Sequence, residues 1–408
     1  MSTAAQPQAG PGPHAGPGLL AGVTVVALEQ AVSAPMCTRT LADFGARVIK
    51  VENPRGGDFT RDYDDVVNGM AAHFVWLNRG KESVTLDLRD DAGRDVLHQL
   101  LDRADVLVSN LAPGAAGRLG IGLDDVARRH PQVIAVEISG YGSGGPLSGK
   151  RAYDLLVSAE TGVCAITGRP GEPAKPGPPF ADATTGLYAA LSVMASIGPQ
   201  RATGQGSRIE ISMFDVMTEL MGYPLTWTAA TGVDQQPAGM GSAAVAPYSA
   251  YPTKDGRTVV LGTTNDAEWQ RLARQLLGRP DLADDPRYLR NPDRVELRDE
   301  LDSVLAQWCS RHELAAIQLA ADAAGIGNSV YRTPTEVVQH PHLAARDRWR
   351  SVATPAGPVR QTLPPPLIDG QPLAMGAVPA LGAHTGAVLA ELGLADEEIA
   401  ALRGRGAI

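Results

Sequence analysis

A short apolar segment, a helical segment and a second apolar segment follow one another near the start of the chain. Val23–Leu28 and Arg47–Val51 have the length and the apolar character of buried strands. Strand, helix and strand within about 30 residues predict a βαβ unit, and therefore a parallel sheet. Ligands of such sheets bind beyond the carboxyl ends of the strands, so we expect the loops Gln30–Pro35 and Glu52–Asp58 to lie at a site.

The same alternation continues to about residue 224 and then stops. Further strands are predicted at Ser83–Asp87, Val106–Val108, Val133–Ile138 and Gly204–Ser212. Beyond Tyr223, two short apolar segments flank Lys254-Asp255-Gly256-Arg257, which is typical of a hairpin turn. We therefore predict an α/β protein with a large Rossmann-like parallel-sheet domain over 19–224 and a smaller α+β domain over 225–330. Residues 331–408 would form a linker and return to the large domain.

Composition and charge exclude several classes of partner. The 408 residues carry a net charge of −9 with no basic cluster, which argues against nucleic acid and anionic membranes. No apolar run reaches the roughly 18 to 20 residues needed to cross a bilayer. Three widely spaced cysteines fit a reducing cytoplasm, and no metal-ligand spacing occurs, so no metal site is expected. Residues 1–18, rich in Ala, Pro and Gly, are predicted to be a disordered tail.

Asp182 lies between a Pro/Gly-rich segment and an apolar helical segment, Thr184–Ile197. One interpretation is an N-cap, in which the carboxylate accepts a free backbone N–H of the first helical turn. The other is a nucleophile, because Ala181, Ala183 and Gly186 leave little side-chain bulk around the carboxylate. A carboxylate beside hydrogen-bond donors and open space can attack an acyl carbon. Both interpretations remain open at this point.

Cationic side chains lie in or near the loops beyond the predicted strands. Arg55, Lys81, Arg118 and Arg151 can hold phosphates by charge-assisted hydrogen bonds, or each can be an ordinary solvated side chain. Neither G-x-G-x-x-G nor a P-loop occurs, so a dinucleotide fingerprint is not supported. Ser143 does not lie in G-x-S-x-G, which argues against a serine hydrolase.

Taken together, these segments resemble the class III CoA-transferases of the CaiB/BaiF type, the family of formyl-CoA transferase. The resemblance is carried by G-V-T-V-V-A-L-E-Q at 22–30, F-G-A-R-V-I-K-V-E at 44–52, L-N-R-G-K-E-S-V-T-L-D at 77–87, A-D-V-L-V-S-N-L-A-P-G at 104–114, A-Y-D at 152–154, A-D-A-T-T-G at 181–186 and A-P-Y-S-A-Y-P-T-K-D-G at 246–256. It extends over nearly the whole chain from about residue 20.

The resemblance implies a set of site residues. Asp182 would be the nucleophile, and Gly241, in the loop Gly239–Ser242, would help to stabilise oxyanions. Contacts with CoA carry over onto Val32, Ser33, Asn78, Arg79, Lys81, Asn110, Leu111, Ala112, Arg118, Arg151, Tyr153 and Asp154. Asn53 occupies the place of a basic residue of the family, and Arg55 is expected to substitute for it. Acyl-CoA would be a substrate rather than a permanently bound cofactor, and the chain would form an interlocked homodimer.

The family contains more than one activity. Its racemases have a His where this chain has Tyr153, and Tyr is a poor general base at neutral pH, so we expect CoA transfer. A non-catalytic CoA-binding protein is the other alternative, which retention of Asp182 disfavours. Residues 259–266 and 324–328 are similar to members that act on dicarboxylates, such as itaconate, mesaconate and succinyl-CoA. Arg271 is either a ligand for a second carboxylate or a solvated helix residue.

Overall fold

The computed structural model describes residues 18–408, so the first 17 residues of the predicted tail lie outside the described residues. Its strands are β1 Thr24–Leu28, β2 Arg47–Glu52, β3 Lys81–Thr85, β4 Val106–Ser109, β5 Ile134–Ser139, β6 Gly168–Arg169, β7 Glu172–Pro173, β8 Arg208–Ser212, β9 Tyr248–Pro252, β10 Thr258–Gly262, β11 Gly327–Val330, β12 Trp349–Val352, β13 Val359–Thr362, β14 Leu367–Ile368 and β15 Gln371–Pro372.

The α-helices connect these strands and cover the sheets. They are α1 Ser33–Asp43, α2 Ala72–Leu77, α3 Asp91–Asp102, α4 Ala115–Arg118, α5 Leu123–Arg129, α6 Asp154–Glu160, α7 Val163–Ile166, α8 Phe180–Thr203, α9 Met213–Leu220, α10 Gly222–Thr231, α11 Asp266–Arg271, α12 Pro280–Asp284, α13 Asn291–Glu296, α14 Arg298–Cys309, α15 Leu314–Ala323, α16 Pro334–Val338, α17 Pro341–Ala345, α18 Thr385–Leu392 and α19 Asp396–Gly404. Short 3₁₀ turns lie at Phe59–Asp62 and Pro286–Tyr288, and a π-helical turn at Leu272–Leu276.

A six-stranded parallel sheet in the order β3-β2-β1-β4-β5-β8 confirms the α/β prediction. The strand order reverses between β1 and β4, because the chain passes from β1 to β2 and β3 on one side and continues with β4 on the other. The loops that follow β1 and β4 therefore leave in opposite directions. A crevice at such a switch point is where open parallel sheets bind ligands.

Alternation along β1 explains how the sheet is covered on both faces. Val25 and Ala27 face one apolar cluster, which includes residues of α1 and α8. Val26 and Leu28 face the other, which includes residues of α3, α18 and α19. Successive strand side chains point to opposite faces, so a strand buried on both faces is apolar throughout. This is why the sequence of β1 is a continuous apolar run.

The chain divides into two compact units. One contains residues up to 161 together with 177–220 and 345–408; the other contains 162–176 and 221–344. In the second unit, β11-β10-β9 form an antiparallel sheet, with β9 and β10 joined where the hairpin turn was predicted. The predicted boundaries of 19–224, 225–330 and 331–408 differ from these units at 331–344, which belongs to the second unit, and at 162–176. Residues 162–176 belong to the second unit although the residues on both sides of them belong to the first, so a division into contiguous ranges cannot describe them.

Helix α8 is longer than the predicted segment Thr184–Ile197. It has 24 residues, and an 18-residue window within it has a mean hydropathy of 1.2, so by length and composition alone it is long and apolar enough to cross a membrane. The expectation that no segment reaches this length was therefore wrong, because Ala, Gly, Ser and Thr keep the helix apolar without a run of large side chains. Ala189, Ala190, Val193 and Ile197 pack into the core of the first unit, which is the environment of an ordinary core helix.

Candidate active site

A cavity of about 970 Å³ lies at the carboxyl edge of the parallel sheet. Its walls include Gln30, Ala31 and Ser33 after β1, residues 110–114 after β4, and residues 139–140 and 142–144 at the end of β5 and beyond it. The loop Gln30–Pro35 thus reaches the site, as expected. Within Glu52–Asp58 no residue lines the cavity, although Phe59, which follows directly, does. The switch point of the sheet is therefore a pocket.

Asp182 lines this cavity from the first turn of α8. The helix begins at Phe180, and no side chain of its own N-cap position bonds to the first turn. The capping interpretation of Asp182 is therefore wrong. Asp154, the first residue of α6, performs that task instead: its Oδ1 accepts the N–H of Ala181 at 2.9 Å and that of Asp182 at 3.4 Å. The Asp182 carboxylate is left to face the cavity.

Ser33, at the start of α1, holds the other side of the Asp182 carboxylate. Its hydroxyl and its backbone N–H both donate hydrogen bonds to Asp182. The Ser33 hydroxyl oxygen accepts from Nδ2 of Asn110 at 3.3 Å. Asn110 also bonds both backbone groups of Gln30, with Nδ2 to the carbonyl at 2.8 Å and Oδ1 from the N–H at 2.9 Å. Asn110 thereby fixes the loop that presents Ser33.

Gly186 brings α8 close enough to α1 for this contact. A Cβ at position 186 would lie 2.3 Å from the carbonyl oxygen of Ser33 and 2.7 Å from Cβ of Met36. Gly186 follows Asp182 by four residues, so both lie on the same face of α8. The absence of a side chain here serves close helix packing. The sequence analysis expected little side-chain bulk at this position, and helix α1 is the element that makes the close approach.

The environment of Asp182 makes it unusually basic. Burial, together with the negative charge of Asp154, raises its pKa to about 7, while the two Ser33 donors act in the opposite direction. A sizeable fraction is therefore ionised at neutral pH. Basicity and nucleophilicity rise together for a given type of atom, so this carboxylate is a better nucleophile than an exposed one.

Aromatic side chains lie in or near the cavity that Asp182 faces. Phe59 and Tyr153 line the cavity, and Tyr63 packs 5.7 Å from Phe59 between ring centroids. Burial raises the pKa of Tyr63, and the nearby charges of Asp58 and Asp182 add to this effect. Sequence reasoning missed Phe59 and Tyr63. Their position just after a loop expected at the site was the only signal that pointed to them.

Several of the predicted CoA contacts meet at the cavity. Ser33, Asn110, Leu111, Ala112, Arg151 and Tyr153 line it, as do the unpredicted cations Lys150 and Arg208. Arg118 does not line the cavity, but one of its guanidinium nitrogens comes within 3.1 Å of where a Cβ on Gly114, a lining residue, would be. Val32 is buried, and Arg55 is bonded to Asp87 at 2.6 Å; neither lines the cavity.

Asn78, Arg79 and Lys81 are buried and take part in ion pairs and hydrogen bonds inside the protein. Lys81 Nζ lies 2.6 Å from Glu29 and 3.1 Å from Oδ1 of Asn78. Arg79 forms a bidentate pair with Asp43, at 3.0 and 2.7 Å. None of the three lines the cavity, and their contacts with CoA stay a prediction. A sequence motif does not reveal whether a cation meets a ligand or a distant carboxylate of its own chain.

Gly241 and Arg271 belong to the second unit. The N–H of Gly241 donates to the carbonyl of Ala238 at 2.9 Å, and its catalytic role stays a prediction. The guanidinium of Arg271 donates to the carbonyls of Ala324 and Gly325 at 3.0 and 3.2 Å, just after α15. Arg271 is therefore not a plain solvated residue, because two of its nitrogens satisfy the end of a helix; a contact with a substrate carboxylate stays a prediction.

The fold and the cavity together define a Rossmann-like α/β protein with its site at the switch point of the sheet. A model of CoA-transferase family III matches residues 20–385. The succinyl-CoA–D-citramalate CoA-transferase of Chloroflexus aurantiacus is 31% identical over 94% of this chain and 96% of its own length. The succinate–glutarate CoA-transferase of Agrobacterium fabrum is 32% identical over 91% and 95%.

A solved structure shows the same similarity. The crystal structure of a CaiB/BaiF family protein from Brucella suis is 30% identical, with a TM-score of 0.80 over 92% of this chain and 100% of that chain. The chain therefore belongs to CoA-transferase family III, and it is a CoA-transferase. The family resemblance drawn from the sequence motifs is confirmed.

Proposed function

We propose that this chain transfers CoA from an acyl-CoA donor to a small carboxylic acid, with Asp182 as the covalent relay. The observation that carries the proposal is the position of Asp182. Its carboxylate faces a large open cavity, is held by two donors of Ser33, and has a pKa raised to about 7. A carboxylate placed in this way is suited to attack a thioester carbonyl at neutral pH.

The steps balance with no other reactant. A carboxylate oxygen of Asp182 attacks the donor thioester, which forms a mixed anhydride and releases the CoA thiolate. The thiolate attacks the aspartyl carbonyl, so an aspartyl-CoA thioester forms and the donor acid leaves. The acceptor carboxylate attacks this thioester and again releases the thiolate, leaving a new anhydride. The thiolate finally attacks the acceptor acyl carbon, which frees Asp182 and the new acyl-CoA.

The cavity has features that suit an acyl-CoA. Its lining combines backbone of the loops after three parallel strands with the cations Lys150, Arg151 and Arg208. Cations at the mouth of such a cavity can bind the phosphates of CoA. Lys150 and Arg208 also pair with Glu160 at 3.2 Å and Asp124 at 2.6 Å, so phosphates would compete with carboxylates for them.

The proposed acceptor is a dicarboxylate of four or five carbons, such as itaconate or mesaconate, with succinyl-CoA or a similar thioester as donor. The names of the relatives support this class, since one acts on D-citramalate and another on glutarate.

The proposal includes a homodimer that works in the cytoplasm. Exposed apolar side chains support a second copy: Leu187, Tyr188 and Leu191 on α8 are 48%, 39% and 59% exposed. Helix α10, which is also apolar, has no buried residue. Three unpaired cysteines support a reducing compartment. Light scattering coupled to gel filtration tests the dimer, and a monomer at micromolar concentration would refute it.

A screen of acceptor acids with succinyl-CoA tests the function. We expect new acyl-CoA with C4 and C5 dicarboxylates, and no transfer by Asp182→Ala, which should still bind CoA. The same assay in deuterated water, with a chiral 2-methylacyl-CoA and no acceptor, addresses the racemase alternative. Rapid exchange of the α-proton without transfer would overturn the proposal, and so would undiminished transfer by Asp182→Ala.

A further inference from the structure

Asp154 links the start of one helix to the nucleophile on another. It is the first residue of α6, 28 positions before Asp182 in the chain. Its Oδ1 accepts the N–H of Ala181 at 2.9 Å and the N–H of Asp182 itself at 3.4 Å. The carboxylate of Asp154 therefore lies against the N-terminus of α8, where backbone N–H groups have no partner within the helix. The backbone of the nucleophile is fixed from outside its own helix.

We propose that Asp154 is a positioning residue: its carboxylate orients the first turn of α8, and its negative charge keeps Asp182 a strong nucleophile. The proposal rests on the proposed function of Asp182. The family resemblance suggested instead that Asp154 contacts CoA. Unlike its neighbour Tyr153, Asp154 does not line the cavity.

The need for such a charge follows from the surroundings of Asp182. The carboxylate lies in the first turn of α8 and accepts bonds from Ser33 at the start of α1. Free N–H groups at helix N-termini favour an anion, and so do hydrogen bonds to it. Both effects make a carboxylate less basic and thus a weaker nucleophile. Asp154 opposes them, because it occupies two N–H groups of α8 and adds a like charge.

The balance of these effects agrees with the proposal. Burial contributes most to raising the pKa of Asp182 to about 7, and the charge of Asp154 comes second. Other titratable or charged side chains near Asp182 or in the cavity lining include Tyr63, Tyr153, Asp58, Arg151 and Lys150. They stay unchanged in the variants below, so a change in pH dependence reports on Asp154.

The decisive variant is Asp154→Asn. It keeps an Oδ1 that accepts from Ala181 and Asp182, but it removes the charge. We expect the acidic limb of the pH profile of kcat/KM to move down by about one pH unit, the effect of a nearby like charge. Above that limb we expect kcat to fall several-fold, because the nucleophile is less basic, while KM for acyl-CoA stays within about twofold.

Two further variants separate charge from capping. Asp154→Ala should show the same shift of the pH profile together with a lower Tm, because the two N–H groups lose their acceptor. Asp90→Asn is the matched control, since Asp90 caps α3 through the N–H of Ala92 at 2.8 Å. It should leave the pH profile unchanged. A profile of Asp154→Asn that coincides with that of the wild type would overturn the proposal.

A measurement without turnover keeps the proposal separate from the proposed function. The pH dependence of the change in Tm caused by Asp182→Asn is measured alone and then in combination with Asp154→Asn. Coupling between the two sites predicts a smaller pH dependence in the combined variant. Equal pH dependence would refute the positioning role. If the two substitutions are coupled in this way but the wild-type protein transfers no CoA, the positioning role is sustained and the proposed function is refuted.

Discussion

Asp182→Asn should make the protein more stable at pH 8 than the wild type. The fold keeps the Asp182 carboxylate away from water and close to Asp154, which raises its pKa from 3.8 to about 7. Its charged form is therefore less stable in the folded protein than in the unfolded chain. Asn is nearly isosteric with the protonated acid and carries no charge, so the variant does not incur this cost.

The magnitude follows from the shift in pKa. One pKa unit corresponds to about 1.4 kcal/mol, so a shift from 3.8 to about 7 gives at most about 4 kcal/mol at high pH. Because the side chain faces an open cavity, solvent screening reduces this, and we expect about 2 kcal/mol. The group is protonated in both states below about pH 4, so the advantage of Asn is absent there. It grows as pH rises to about 7 and is constant above that value.

Urea denaturation at several pH values between 4 and 8 measures this difference. The transition of the unit that contains Asp182 is the one to follow, since the chain has two units. The control is Asp91→Asn, because the Asp91 side chain on α3 is 89% exposed. This variant controls for the loss of one negative charge at a side chain that faces solvent. A difference for Asp182→Asn that is flat with pH, or that favours the wild type at pH 8, would refute the account of a destabilised carboxylate.

Three other substitutions test the arrangement around the nucleophile. Gly186→Ala places a Cβ 2.3 Å from the carbonyl oxygen of Ser33, so urea denaturation should show that the free energy of unfolding falls by about 1–3 kcal/mol, and activity should fall too. The control is Gly386→Ala, whose Cβ would meet nothing within 4 Å and which should preserve both stability and activity. Ser33→Ala removes a donor to the nucleophile, so the acidic limb of kcat/KM should move to higher pH; an unmoved limb would contradict the contact. Lys81→Met removes the partner that lies 2.6 Å from Glu29 and should cost about 3 kcal/mol of stability; normal stability with weakened acyl-CoA binding would instead assign Lys81 to the ligand.

The sheet was predictable because its buried strands are short apolar runs in the sequence. Val25 and Val26 face opposite apolar clusters, so β1 is an uninterrupted apolar run. The carboxyl ends of such strands define where a ligand binds, which placed Ser33 and Asn110 at the site in advance. The segment 162–176 was not predictable in the same way, since nothing local records that it joins the second unit.

The place of Asp182 in the cavity was predictable from the sequence, and the residues that hold it there were not. A motif identified Asp182, but the motif does not say which residue caps the helix. Asp154 does so from a different helix, and Gly186 serves a contact with α1 that only the packed structure reveals. The cation Lys81 matched a motif and is nonetheless paired inside the protein with Glu29. Partners distant in sequence decide these roles.

The central claim is that Asp182 becomes covalently acylated during CoA transfer. The protein is incubated with succinyl-CoA, quenched with hydroxylamine and digested, and the peptides are analysed by mass spectrometry. Hydroxylamine converts an aspartyl thioester, or an anhydride opened at its aspartyl carbonyl, into a stable hydroxamate. The account predicts a hydroxamate at Asp182 that requires acyl-CoA and is absent from Asp182→Asn. Transfer that proceeds with no modified peptide, or with the label on another residue, would contradict it.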